Sequence, residues 1–539
     1  MKKLIGLFFT IYIFSYANYL ITNSEIVLFY DKETKSIEYV KGDIFNKIDI
    51  SNIEFSLILN KREIIPLKRY FVKGEFLSQN NIFRLVYKLE EKEIFIDILP
   101  SIYERDKLYI LVKFINFPSN QEKIDFVFKI SPQYDNKYLI HEGEDSIYSY
   151  DNIYFKSENY LGEVYIGRDE ELESLNLEEV KEKSKKYEGE NFYYIVKDIQ
   201  YSKPINFIIK FYQNFQKEEK NRREDILARE LDYWNQVGIE NNYKDKKEIF
   251  VKELNNLEII TSRLIIPNKI GYDKSKEDLD IKAKLYYLNT IYNKNFNPNK
   301  LLEDINIRKS ETQALIYYTL LFKYLNNSER YIGGNIVEGK IIPEVLSLLD
   351  YLEEIDDEVI NVRNNIENYY WYYELITAVE NREAFKEYKE FIQEKKEFLL
   401  KYLNSNFVLE DGLKTRKESR ASYYKNIKYL GFLPKDKQLE ILNRDYERYY
   451  NKYYGVLKKE NKEKRIDIDY NLNFVIKLYE VGEKRKAELL FSNIKRYIEK
   501  NNYYIIKYMY PDRKNILEID GEMLYLYFMA EESRKKYGD

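Results

Sequence analysis

Residues 363–381 read RNNIENYYWYYELITAVEN, and three of them carry types and spacing suited to chemistry on sugars. Glu367, Trp371 and Glu374 stand at i, i+4 and i+7, so a helix places them along one stripe. A carboxylic acid beside an aromatic surface is raised in pKa by desolvation, which suits a general acid. The aromatic side chains themselves can stack on a sugar ring. A plainer account fits the same residues. Asn364 and Glu367 have capping-box spacing, and a carboxylate suits a helix start. Trp371 and its neighbouring tyrosines can equally be packing residues of a helical core.

The composition restricts the chemistry further. The chain has no cysteine, which removes thiolate nucleophiles, disulfides and cysteine-held metals. His141 is the only histidine, so no paired-histidine metal site exists, and it lies in YLIHEGEDS with no nucleophile elbow beside it. No metal or other cofactor is expected. Lys+Arg total 87 against Asp+Glu 91, so there is no basic footprint for nucleic acid. Tyrosine is abundant, with 56 residues, as are lysine, asparagine and isoleucine. Their codons are AT-rich, so each aromatic cluster counts for less here than in a balanced composition.

The elements that must position these residues come in two kinds. Residues 1–17 have the form of a signal peptide, with Lys2 and Lys3, the apolar run LIGLFFTIYIF and small residues at Ser15 and Ala17. The expectation is an exported protein, in the periplasm, cell envelope or outside, with no membrane contact after removal of this segment. From 18 to 215 short segments alternate in and out. In IFRLVYKLE, for example, Phe83, Leu85, Tyr87 and Leu89 share one face. That predicts an antiparallel β-sandwich, with the charged stretch 169–189 as a helical or loop insertion. Residues 216–245 predict one linker helix, in which Glu230, Leu231 and Trp234 share a stripe.

From 246 to 539 the helical period runs to the end, with about eleven helices in antiparallel pairs and no strands between them. Gly482 after LNFVIKLYEV and Pro434 before KDKQLEI mark helix ends. Either an open solenoid or a closed (α/α)6 toroid of hairpins meets this pattern.

Several stretches carry a family resemblance. GFLPKDKQLEILNRDYERYYNKYYG (431–455), NFVIKLYEVGEKRKAELLFSNIKRYIEKN (473–501) and VKELNNLEIITSRLIIPNKIG (251–271) resemble helix and turn segments of glycoside hydrolase family 15, the glucoamylase-type six-hairpin glycosidases. The order of leader, sandwich, linker helix and toroid is similar over nearly the whole chain. The resemblance implies an inverting hydrolase of an α-linked glucan or oligosaccharide, working through two carboxyl groups. The family's acid follows a tryptophan at the start of the fifth toroid helix. Here Glu367 occupies that neighbourhood without the Trp-Glu pair. The base would be Asp512 in the loop YYIIKYMYPDRKNILEID, which lacks the family's Pro-Glu-Gln, with Glu518 next in line. Asp278 stands where the family has an Arg-Asp pair on the terminal sugar, and Trp371 and Glu374 would line the same site. The departures from all three motifs leave a second reading open, a non-catalytic relative that binds a glycan or a protein partner.

Overall fold

The structure is a computed structural model. It describes residues 19–44, 49–77, 82–117, 123–132, 137–141, 147–150, 153–157, 162–174, 178–179, 186–188, 191–211, 223–240, 248–261, 267–271, 275–293, 310–327, 334–352, 366–409, 412–413, 424–458, 465–501, 504–510 and 517–538. The leader-like segment 1–17, Asn364 and Asp512 lie outside these residues, as does the side chain of His141. The chain divides into two compact units. The first takes residues up to 263 with 269–276 and 516–518. The second takes 264–268, 277–515 and 519–539.

The first unit is built on two antiparallel sheets. One is centred on Ile50–Leu59, Ile124–Pro132 and Asn191–Val196, the other on Phe83–Leu89, Lys92–Pro100, Lys107–Ile115 and Ile205–Phe211. Alternation decides which face is inward. Ile124, Phe126, Phe128 and Ile130 enter the shared core with Phe83, Leu85, Tyr87 and Phe207. Phe128 and Phe207, from opposite sheets, sit with ring centroids 4.7 Å apart. The charged stretch after Gly167 is not one helix. It holds a single helical turn, Asp169–Glu173, and two short strands, Glu178–Glu179 and Lys186–Glu188. Each of those strands finds a sheet edge to pair with, which offsets its weak intrinsic preference.

Helix α1 (Arg223–Glu240) and helix α2 (Glu248–Thr261) also belong to the first unit. The stripe read from the sequence packs as expected. Leu231 lies against Ile82, Leu99 and Tyr109, and Trp234 is buried. Glu230 is fully buried, where its Oε1 accepts from Ser101 Oγ at 2.6 Å and Ile102 N at 2.9 Å.

The second unit is helical. Its helices are α3 (Leu279–Tyr292), α4 (Glu311–Asn327), α5 (Gly334–Asp350), α6 (Ile366–Val379), α7 (Lys389–Asn406), α8 (Lys435–Tyr449), α9 (Ile468–Val481), α10 (Lys484–Lys500) and α11 (Gly521–Tyr537). Residues Tyr424–Phe432 form a 3-10 helix where the sequence predicts an ordinary one. Three two-residue strand pairs also interrupt the helices: Val408–Leu409 with Gly412–Leu413, Tyr450–Asn451 with Val456–Leu457, and Ile466–Asp467 with Tyr508–Met509. These correct the strand-free expectation. They are too short to leave a periodic signal.

Packing closes a ring: α3 touches α4, α4 touches α6, α6 touches the 3-10 helix, which touches α9; α9 touches α11, and α11 returns to α3. Helices α5, α7, α8 and α10 lie against this ring as the second members of hairpins. The unit is an (α/α)6-type toroid, not an open solenoid. The sequence explains who goes where. Helix α9 is buried nearly all round, from Ile468 through Tyr479, as an inner helix must be. Helix α10 buries only the stripe Ala487, Leu490, Phe491, Ile494 and Ile498, as an outer helix should.

Candidate functional site

Five helices of the inner ring begin with an acid in the first turn: Asp280 on α3, Glu311 on α4, Glu367 on α6, Asp469 on α9 and Glu522 on α11. The 3-10 helix contributes Lys428. These starts share one end of the toroid, because groups on non-adjacent elements act on each other. Glu367 and Glu522 both raise the pKa of Asp280, and both act on Lys428. Lys428, Glu367 and Glu522 keep 30–38% of their side-chain surface although their elements belong to the inner ring.

The lumen is lined with ion pairs. Lys284 Nζ is 2.7 Å from Glu522 Oε2, Lys428 Nζ is 3.5 Å from Glu367 Oε1, and Lys507 Nζ is 3.7 Å from Asp469 Oδ2. Burial alone would raise the Glu522 carboxyl, but Lys284 and Lys428 hold it below the ordinary glutamate value. Asp469 is raised, by burial first and then by Glu522 and Asp467, against Lys428 and Lys507. Burial works against the Lys428 ammonium, yet Tyr429, Glu367 and Glu522 keep its pKa above the usual lysine value.

Asp280 differs from the rest. Its Oδ1 is buried with no hydrogen-bond partner, and no lysine pairs with it among the described residues. Burial, then Asp278, Glu367 and Glu522, push its pKa up to about 6 against the pull of Lys284. Glu311 accepts instead from Tyr372 Oη at 2.7 Å, stitching α4 to α6.

A second tier lies deeper. Glu374 is seven residues after Glu367, roughly 10 Å further along the helix. It pairs with Lys323 of α4, and Lys323 and Lys477 together hold its carboxyl below the ordinary value despite burial. Tyr370 and Tyr525 face the same charges. Gly431 admits them closely, since a Cβ there would come within 3.3 Å of Lys477 Nζ.

The residues singled out in the sequence fall into different places. Glu367 faces the lumen and engages Lys428. Trp371 is buried, edge-on to Tyr370. Glu374 belongs to the deeper tier. Asp278 is the N-cap of α3, accepting from Asp280 N at 3.0 Å and Ile281 N at 3.2 Å. Glu518 pairs with Lys269 at 3.2 Å within the first unit. Asp280, Lys284, Lys428, Asp469 and Glu522 were missed. Their signal is charge embedded in helices otherwise apolar all round, such as Lys282 and Lys284 in α3.

No family profile and no curated protein matches the sequence. Among solved structures, a bacterial glucoamylase complexed with acarbose superposes with a TM-score of 0.62, covering 97% of this chain and 96% of that one at 11% identity. The chain has the glucoamylase fold. A family-92 inverting mannosidase from Bacteroides thetaiotaomicron also matches, over 96% of this chain and 83% of that one, at 8% identity and a TM-score of 0.44. At 11% identity the likeness to glucoamylase is one of architecture, and the chemistry must be argued from the lumen itself. Among the described residues no group of three or more potential ligands is arranged to hold a metal ion, and no helix is long and apolar enough to cross a membrane.

Proposed function

We propose that the protein is an exported glycoside hydrolase acting on an α-linked glucan or oligosaccharide through a carboxyl acid/base pair. The observation that carries this reading is the convergence of Asp280, Glu367, Asp469 and Glu522 on one end of the toroid lumen. Inverting hydrolysis needs an ionised carboxylate to activate water and a protonated carboxyl on the other face of the sugar, roughly 6.5–9.5 Å away. Glu522 suits the first role, since Lys284 and Lys428 keep it ionised. The proton donor then comes from the side where Asp280 and Glu367 face it. Export rests on the leader-like residues 1–17.

Maltooligosaccharides are the test substrates, with release of reducing sugar as the readout and Glu522→Gln as the control. Release by the wild type that drops at least a hundredfold in the variant supports the reading. One observation favours the non-catalytic alternative, a glycan-binding relative: three of the four lumen acids are already tied to lysines. Saturable binding of the same sugars without any release would establish that alternative instead.

A further inference from the structure

We propose that the sandwich unit holds a binding pocket for one neutral pyranose unit, set in a window of the sheet that contains Ile50–Leu59. Such a site stands or falls separately from the hydrolase reading of the lumen.

The window follows from strand register. Ile50–Leu59 pairs along its whole length with Ile124–Pro132 on one edge. Two strands share its other edge. Ser36–Lys41 pairs there at Val40↔Ile50 and Ile37↔Ile53, and Glu63–Pro66 pairs from Leu59↔Glu63 to Ser56↔Pro66. Glu54 and Phe55, between the two, have no strand partner on that edge among the described residues. An unpaired strand edge leaves backbone N–H and C=O groups open to a ligand. A cavity of about 170 Å³ lies at this gap, bordered by Ile37, Ile53, Glu54, Phe55, Ser56 and Pro66. At about 10–15 Å³ for each water-sized group it holds on the order of a dozen, the bulk of one hexose and not of a chain.

The two ends of the cavity differ. Toward the sandwich core it meets Phe55, Leu85 and Tyr87, all buried. They offer apolar surface to the C–H face of a sugar ring, and one phenol. Burial and then the charge of Glu54 raise the Tyr87 pKa, so its hydroxyl stays a neutral donor. Toward the face away from the core, charges alternate. Lys68 Nζ is 2.7 Å from Glu54 Oε1, and Lys129 Nζ is 3.1 Å from Glu54 Oε2 and 2.8 Å from Asp169 Oδ2. Burial alone would raise both carboxyls. Lys68 and Lys129 hold Glu54 below its ordinary value, and Lys129 and Tyr193 do the same for Asp169, so both are ionised acceptors. A sugar hydroxyl donates and accepts, and a row of ammonium and carboxylate groups satisfies both halves. Around the cavity Lys35, Lys68, Arg69 and Lys129 stand against Glu54, Asp169 and Glu173. That near balance suits a neutral polyol better than an ion.

Hydrogen–deuterium exchange of the full chain, read at residues 50–70, locates binding. Glucose, galactose and mannose are the single-unit probes, maltotriose the chain-end probe and glucuronate the anionic one. We expect a neutral probe at millimolar concentration to slow exchange at residues 54–56. Ser56→Trp, which fills the cavity, should abolish that protection. Glu54→Gln keeps the size of the side chain but removes an ionised acceptor, and should weaken binding at least about tenfold. It also serves if the tryptophan variant fails to fold. Protection by a hexose assigns the site to a free sugar, and protection by maltotriose alone assigns it to a chain end. Protection by glucuronate alone, protection undiminished in either folded variant, or none with any probe overturns the site and leaves the hydrolase reading standing. A wild type that binds here but releases no reducing sugar overturns that reading alone.

Discussion

Lys284 Nζ and Glu522 Oε2 lie 2.7 Å apart and join the second turn of α3 to the first turn of α11 across the closure of the toroid. The lysine side chain is 10% exposed and the glutamate 30%. Lys284→Met keeps the stem and removes the ammonium. Glu522 then loses the first of the charges that oppose its desolvation, so its pKa rises. A carboxyl depressed in the folded state lends stability that is present above its unfolded pKa and lost as pH falls through the folded one. In the variant this contribution shrinks. The expected outcome is a loss of about 2 kcal/mol at neutral pH, below the full cost of breaking a buried pair because Glu522 is partly hydrated. Urea denaturation over a pH series measures it, and the acid-unfolding midpoint should move upward.

Asp280 should behave in the opposite sense. Its folded pKa lies at about 6, above the ordinary aspartate value. Its contribution is therefore fully present below the unfolded pKa, and is lost as pH rises through about 6. Asparagine has no such loss. Asp280→Asn should thus be more stable than wild type above this window, by on the order of 1–2 kcal/mol, and lose that advantage in acid. Melting temperatures across the window would reveal it.

Gly521 opens α11 directly beside α3. A Cβ there would lie 2.5 Å from Ile281 Cγ2, 3.1 Å from the Asn268 carbonyl oxygen and 3.2 Å from Leu285 Cδ1. Alanine normally improves a helix over glycine by about 1 kcal/mol. Here the close approach reverses the sign. Gly521→Ala should destabilise by about 1–3 kcal/mol through overpacking. It should also weaken catalysis, because the helix start it displaces carries Glu522. A thermal melt together with the maltooligosaccharide assay checks both effects.

The fold was legible in the sequence because its signals are local. Alternation in residues 83–89 marks the inward face of a sandwich strand, and Phe83, Leu85 and Tyr87 are buried in the shared core. Gly482, at φ 94°, ends α9 as read, where its N–H and that of Glu483 close the last turn on Tyr479 and Leu478. Ring closure was not legible, since it depends on α11 meeting α3 across more than two hundred residues. The site was legible only at Glu367. First-turn acids are ordinary helix-start residues. Nothing local separates Asp278, which caps, from Asp280 two residues later, which faces the lumen. Lys428 was hidden for another reason: it lies on a 3-10 helix, whose turn shifts the facing of each residue away from the expected period.

The deeper tier tests whether the lumen's ion pairs are coupled. Glu374 is gripped by Lys323 from α4 and faces Lys477 from α9, while Lys477 also holds Glu480 at 2.7 Å. Removing only the acid, in Glu374→Leu, takes away the carboxylate that Lys323 and Lys477 share. The expected cost is about 3 kcal/mol. Lys323→Met alone strands Glu374, but Lys477 remains to compensate it, so the cost should be smaller, about 2 kcal/mol. The double variant strands neither of the two. It should be less destabilised than the sum of the singles, with a coupling of about 1–3 kcal/mol. Urea denaturation of the four proteins in the cycle gives that value directly. Additive losses would mean that Lys477 alone neutralises Glu374 and that Lys323 is held by solvent rather than by its partner.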